Sequence, residues 1–207
     1  MARKILIVSP HTDDGELGCG GSIAKFIEAG DSVEYVALSC CEKSVPPEYP
    51  PDILSHEVRK ATSVLGIDNP ILLNFEVREF PRLRQEILDA LIRLRNKVRP
   101  EIVFAPSRND THQDHKTTIE ETMRAFKNCT ILGYEQPWNN ITFNTLAFIP
   151  LRDTHLQKKI DALRCYETQK DRSYLSDDFV RGLAVTRGTQ IEEKFAEAFE
   201  VIKWVIR

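Results

Sequence analysis

The sequence predicts an α/β protein built around a mostly parallel sheet. Three observations carry that prediction. Short β-branched apolar runs alternate with amphipathic stretches from the start of the chain through residue 134. The first forty residues read as one strand–helix–strand unit, which implies a parallel pair joined by a right-handed crossover. His/Asp-rich stretches follow the first and fourth apolar runs, and open α/β sheets take their ligands beyond the carboxyl ends of their strands.

The elements are read in order. Residues 4–8 (KILIV) form a buried central strand. The stretch from Gly15 to Gly21 (GELGCGG) reads as a glycine-rich turn whose glycines let the backbone pass close to the preceding His/Asp stretch. Residues 22–29 carry Ile23, Phe26 and Ile27 at helical spacing, with Gly30 as C-cap, and residues 32–39 form a second strand. Pro46, Pro47, Pro50 and Pro51 make residues 40–51 a loop on the strand-end rim. Asp52 is placed to cap a helix reaching about residue 65.

A third strand follows at 71–75. The helix at 83–98 is the most regular of the set, because Leu83, Ile87, Leu91 and Leu94 form one stripe. Residues 101–105 make a fourth strand, 115–127 a helix, and 130–134 a short strand. Residues 135–140 read as a loop, and 142–149 as an antiparallel edge strand. Helices are expected at 153–168 and 177–186. The tail from 195 to 206 reads as helical at first, with 201–206 as a strand. No linker or repeat divides the 207 residues, so one domain is expected.

Composition narrows the function classes. Apolar residues make up 42% and charged residues 29%, the values of an ordinary globular chain. The net charge of −3 gives no basic surface for neutralising phosphates, so a dedicated nucleic-acid binder is not expected. Apolar runs are too short for a transmembrane segment, and the N-terminal run is too short for a signal peptide. A cytoplasmic location follows as the expectation. The five cysteines contain no CxxC pair, which argues against a zinc finger or ribbon.

The chemistry-bearing residues are His11, Asp13 and Asp14 at the tip of the first strand, and His112, Asp114 and His115 after the fourth. His112 and His115 are three apart at a helix start and can share a face. One of these imidazoles with His11 and Asp14 gives two His and one carboxylate, a set that leaves coordination positions open for water. Zn2+ bound there lowers the pKa of water to about 7. Hydrolysis then needs a base and an oxyanion donor, roles that Asp13 and the remaining imidazole fit. Asp114 can orient an imidazole from behind, and a carboxylate beside His112 is expected to favour its charged form. Asp110 and Thr111 read as caps of the following helix. A dinucleotide site at Gly18-Cys19-Gly20 fails, because the third glycine of that fingerprint would be Ile23 and the strand ends too early.

These residues resemble the LmbE-like, PIG-L-type zinc-dependent N-deacetylases. The opening motif stands as His11-Thr12-Asp13-Asp14-Gly15-Glu16-Leu17-Gly18-Cys19-Gly20-Gly21, with Thr12 where the family has proline and Gly15 in place of the usual Glu. The second motif stands as His112-Gln113-Asp114-His115, and His56-Glu57-Val58-Arg59-Lys60-Ala61 resembles the family's helix after strand two. The resemblance implies a Rossmann-like three-layer sandwich, His11, Asp14 and His115 as zinc ligands, Asp13 as general base, and His112, backed by Asp114, at the oxyanion or leaving amine. It admits Fe2+ or Mn2+ in place of Zn2+. It implies an N-acylated amino-sugar substrate, with Arg59 near the sugar, and it makes a homo-oligomer one of the expected states. Tyr49 and Trp138, on loops of the same rim, are candidates for stacking on a sugar face. Two rivals are a non-haem Fe(II) oxygenase on the same two-His-one-carboxylate site and a catalytically silent carbohydrate-binding relative.

Overall fold

A computed structural model describes residues 2–206. Seven strands form one sheet: β1 (Lys4–Ser9), β2 (Ser32–Ala37), β3 (Ile71–Leu72), β4 (Ile102–Pro106), β5 (Thr130–Tyr134), β6 (Ala147–Leu151) and β7 (Phe195–Lys203). Their order is β3-β2-β1-β4-β5-β7-β6. The first five strands are mutually parallel, and β7 is antiparallel to both β5 and β6. The chain therefore reverses direction across the sheet between β1 and β4, which opens a crevice beyond their carboxyl ends.

Alternation along β1 explains the layers. Ile5 and Ile7 face one apolar cluster, with Ile23, Phe26, Val58, Leu65 and Ala162. These come from α1 (Asp14–Glu28), α2 (Ile53–Leu65) and α5 (Asp153–Leu163). Leu6 and Val8 face the other, with Ile87, Leu91, Ile119 and Phe126, which belong to α3 (Arg84–Val98) and to α4 (Gln113–Ala125) and its end. A two-residue period buries both faces of a central strand, as the continuous apolar run requires. The last helix, α6 (Asp177–Thr189), packs with α5 and β7 around Leu156, Val180 and Phe195.

Several expectations are corrected. The glycine-rich stretch is helical: α1 starts at Asp14, eight residues earlier than the apolar spacing indicated, and is kinked at Cys19 (φ −149°, ψ 25°). Its glycines meet tyrosines beneath the site, not the His/Asp stretch. A Cβ on Gly15 would lie 2.5 Å from Tyr35 Cε2, and one on Gly18 would run into the Tyr134 ring. Close packing against two buried rings offsets the roughly 1 kcal/mol that a helical glycine costs. The kink frees backbone N–H groups, and Glu197 from β7 accepts from Gly21 N (3.1 Å) and Ser22 N (2.7 Å).

Residues 195–200 are strand, not helix, because β7 is inserted between two strands and its ladder outweighs local helical preference. The edge strand lies at 147–151 instead of 142–149, and α5 stops at Leu163, after which short 3-10 turns lead to α6. Asp52 occupies the N-cap position of α2 without capping it; its carboxylate pairs with His56 Nε2 at 3.2 Å. No helix among the described residues is long and apolar enough to cross a membrane.

Candidate metal centre

The turn after β1 is fixed before its side chains act. Ser9 Oγ donates to His11 O (2.6 Å) and accepts from Gly15 N (2.9 Å). Tyr166 Oη donates to Thr12 O at 2.6 Å and lies 2.9 Å from Glu16 Oε1, and Tyr35 Oη contacts the other oxygen of Glu16. Burial pushes the Glu16 carboxyl up to about 8, against the two hydroxyls that favour its charge. The turn thus rests on a buried Glu–Tyr–Tyr cluster.

Three ligand atoms converge on one point. His11 Nδ1 and Asp14 Oδ2 are 3.0 Å apart, Asp14 Oδ2 and His115 Nε2 3.2 Å, and His115 Nε2 and His11 Nδ1 3.2 Å. Ligand atoms about 2.0–2.1 Å from one ion stand about 3.3 Å apart in a tetrahedron and about 3.0 Å apart in an octahedron. The triangle fits either, so the donor set can hold a divalent ion and does not by itself choose which. The outward ring nitrogens are each held by a carboxylate: His11 Nε2 lies 3.0 Å from Asp114 Oδ2, and His115 Nδ1 2.7 Å from Asp110 Oδ2. Such carboxylate–imidazole pairs orient a ligating ring and raise its basicity. The second Asp14 oxygen accepts from Gln136 Nε2 at 2.7 Å, which leaves Oδ2 to face the two imidazoles.

Charge follows this geometry. Burial works against the charged forms of His11 and His115, but the Asp14 carboxylate outweighs it, and their pKa values rise to about 8 and about 10. Burial would raise the Asp14 carboxyl, yet the imidazoles of His115 and His11 hold it well below the usual range. Asp13 has no such support: burial and the neighbouring charge of Asp14 push it up to about 6.

His112 departs from the sequence expectation. Its ring centroid lies 4.6 Å from that of His115 and 4.9 Å from that of His11, and nitrogens of the three rings all fall within 4.8 Å of one another. Yet its Nδ1 accepts from Asp114 N at 3.2 Å, so a neutral ring carries its proton on Nε2. Asp114 does not back His112 with its carboxylate. That oxygen is turned to His11 and to Arg78 N (2.6 Å). Burial and the charges of His115 and His11 therefore prevail and lower the His112 pKa to about 4, the opposite of the expected direction.

The six motif residues come together. His11, Asp13, Asp14, His112 and His115 line one cavity of about 430 Å3, and Asp114 lies directly behind His11. Trp138 lines the same cavity, one face of its indole stacked on Tyr174 at 4.1 Å and 12°. Tyr49 is not among the lining residues, and Arg59 lies on a separate surface depression with Lys60 and Cys165. Sequence reasoning read Asp110 only as a cap. It does accept from His112 N (2.8 Å), and it also holds His115, a role that its position two residues before His112 could have signalled. Gln136, Tyr174, Arg78 and Arg172 gave no sequence signal, because each reaches the site from a distant segment.

Comparison with known proteins agrees with this site. The PIG-L family profile, described as GlcNAc-PI de-N-acetylase, matches residues 6–126. An uncharacterized deacetylase of Escherichia coli (strain K12) is 27% identical over 80% of this chain and 91% of its own. Among solved structures, the N,N'-diacetylchitobiose deacetylase of Pyrococcus horikoshii superposes with a TM-score of 0.82 at 23% identity, covering 97% of this chain and 84% of that one. The 4-carboxy-2-hydroxymuconate hydratase of Pseudomonas putida KT2440 gives the same TM-score, 0.82, at 20% identity over 99% and 98%. These two likenesses speak to the fold alone. The profile covers more than half of the chain and contains both His/Asp motifs, so the protein belongs to the PIG-L (LmbE-like) family of de-N-acetylases.

Proposed function

We propose that this chain is a metal-dependent amide hydrolase that removes an acetyl or other small acyl group from the nitrogen of an N-acylated amino sugar. The observation that carries the proposal is the near-equilateral triangle of His11 Nδ1, Asp14 Oδ2 and His115 Nε2, with an acidic and an imidazole side chain beside it in one cavity. A divalent ion, most simply Zn2+, would polarise the amide carbonyl there and make water a nucleophile near neutral pH.

The chain's own groups supply the rest. Asp13, with its carboxyl at about 6, is ionised at neutral pH yet basic enough to take a proton from the attacking water. His112 Nε2–H donates a hydrogen bond to the oxygen that gains charge as the carbonyl becomes tetrahedral. A neutral His112 is a donor and not an acid, so the proton that Asp13 has taken passes to the departing amine. Asp114, Asp110 and Gln136 hold the ligand side chains in register.

The likeness to a hydratase supports a second reading, in which the same base and donor add water across a double bond. One assay separates the two and also tests the rivals. The Zn2+-loaded protein is incubated with free, glycosidic and phosphorylated N-acetylglucosamine, with and without O2, and released primary amine is measured. Amine release without O2 excludes both the oxygenase and the silent binder. No amine from any N-acetylated sugar would sink the hydrolase reading.

A further inference from the structure

The cavity carries more than the metal triangle. Arg78 lies in the loop between β3 and α3, and Arg172 in the turns between α5 and α6; both line the cavity and both are exposed. Elsewhere on the surface, arginines find carboxylates: Arg3 with Asp31, Arg82 with Glu79, Arg84 with Glu120 and Arg164 with Asp161. Among the described residues Arg78 and Arg172 form no ion pair. The contact recorded for the Arg78 guanidinium is Ser44 Oγ, at 3.0 Å.

Neither arginine is on a loose segment. Arg78 N is tied to Asp114 at 2.6 Å, with φ at +72°. The Arg172 segment is pinned before it by Tyr166 Oη on Thr12 O and by Thr168, whose N and Oγ1 donate to buried Glu57 at 3.1 and 2.7 Å. It is pinned after it by Tyr174, stacked on Trp138. Trp138 is itself held by its own loop, through the ion pair of Glu135 with Arg187. Two cations fixed in place on one cavity, without counter-charges, are a preorganised anion site. The volume, about 430 Å3, leaves room beyond the reacting acyl group.

Resting on the hydrolase reading above, we propose that Arg78 and Arg172 recognise a carboxylate or phosphate on the substrate. The substrate class is then an N-acylated amino sugar bearing an anionic group outside the amide. The floor of the cavity repels anions through Asp13, so the charge has to sit on the part of the substrate away from the scissile bond. Arginine's planar fork suits either anion.

The test measures binding and turnover in the same samples. Zn2+-loaded protein is titrated calorimetrically with three compounds: methyl N-acetylglucosaminide, its carboxymethyl counterpart and N-acetylglucosamine 1-phosphate. Amine release is followed for each. At least one anionic compound should bind tenfold or more tighter than the methyl glycoside, with a preference that shrinks as salt rises. R172Q and R78Q should each cut that preference tenfold or more, and R172K should keep most of it. If R78Q fails to fold, R172Q and R172K carry the test. The anionic arm that wins tells phosphate from carboxylate. Equal binding of all three compounds, or losses in the Gln variants that fall alike on neutral and anionic ones, overturns the proposal. Anion preference with no amine released from any compound leaves the subsite standing and removes the hydrolase reading instead.

Discussion

Asp13 and Asp14 are neighbours of identical chemistry, and their surroundings give them different work. Asp14 Oδ2 sits between two imidazoles and stays ionised at any pH the fold tolerates, while Asp13 is pushed up to about 6. Pairs of carboxylates driven apart in this way are how one site holds both a ligand and a base. Asp13→Asn should therefore keep the metal and lose about 10²–10⁴-fold in kcat; metal lost together with activity would mean that the two roles are exchanged. The pH profile follows from the same values. The base acts when ionised, so kcat/KM should rise through about pH 6 and level off above it. His112, at about 4, is already neutral there and contributes no alkaline limb. His112→Gln retains a side-chain N–H donor, so it should be slower with the shape of the profile unchanged. An alkaline limb that vanishes in this variant would return His112 to the role of general acid. The residue types and spacing of the two motifs were legible in the sequence. What was not legible is which partner each imidazole takes. Asp114 chose His11, 103 residues away, over its neighbour His112, and only the packing of α4 on β1 decides that.

Elements show where local signals were overruled. The apolar spacing that starts at Ile23 marked only the second half of α1; the first half is a helix of small residues that forms because Tyr35 and Tyr134 leave no room for side chains. The second half begins at the Cys19 kink as if it were a new helix, and its cap comes from β7. Glu197 accepts from Gly21 N, Ser22 N and Ser22 Oγ and pairs with buried Lys159 at 2.6 Å. Nothing near residue 20 announces a capping group 175 positions later. Glu197→Gln removes the charge that both the helix end and Lys159 require, and a buried lysine left unpaired is the larger loss. Urea denaturation should show a destabilisation of about 3–5 kcal/mol. Lys159→Met in the same background should recover part of it, because the orphan cation is then gone. No recovery would mean that the helix cap, and not the ion pair, carries the energy.

Across the whole molecule, the parallel order and the position of the site at the β1–β4 crevice could be read from the sequence, because alternation and strand-end chemistry are local signals. The insertion of β7 between β5 and β6 could not, since pairing partners along an antiparallel edge leave no mark on composition. The metal triangle joins β1, through its following turn, to α4. An ion that binds the folded form alone should then raise the melting temperature. At a free concentration of 100 times Kd the gain is about 2.7 kcal/mol, or roughly 5–10 °C for a chain of this size. Melting with Zn2+ and after chelation measures it, and His115→Ala should abolish the difference. A shift that survives His115→Ala would place the stabilising ion elsewhere.

The Glu197 cap also sets an order of events during synthesis. The strand that leads to the His/Asp turn is among the first residues to leave the ribosome, and the carboxylate that steadies the helix behind that turn comes nearly two hundred residues later. Until β7 arrives, β5 is a bare parallel-sheet edge with its backbone groups unpaired, the kind of surface on which nascent chains associate. Contacts this distant in sequence also make folding slow. The nascent protein thus carries its reactive residues, unsupported, for most of its translation, and the late strand closes the sheet edge and seats the helix in a single step.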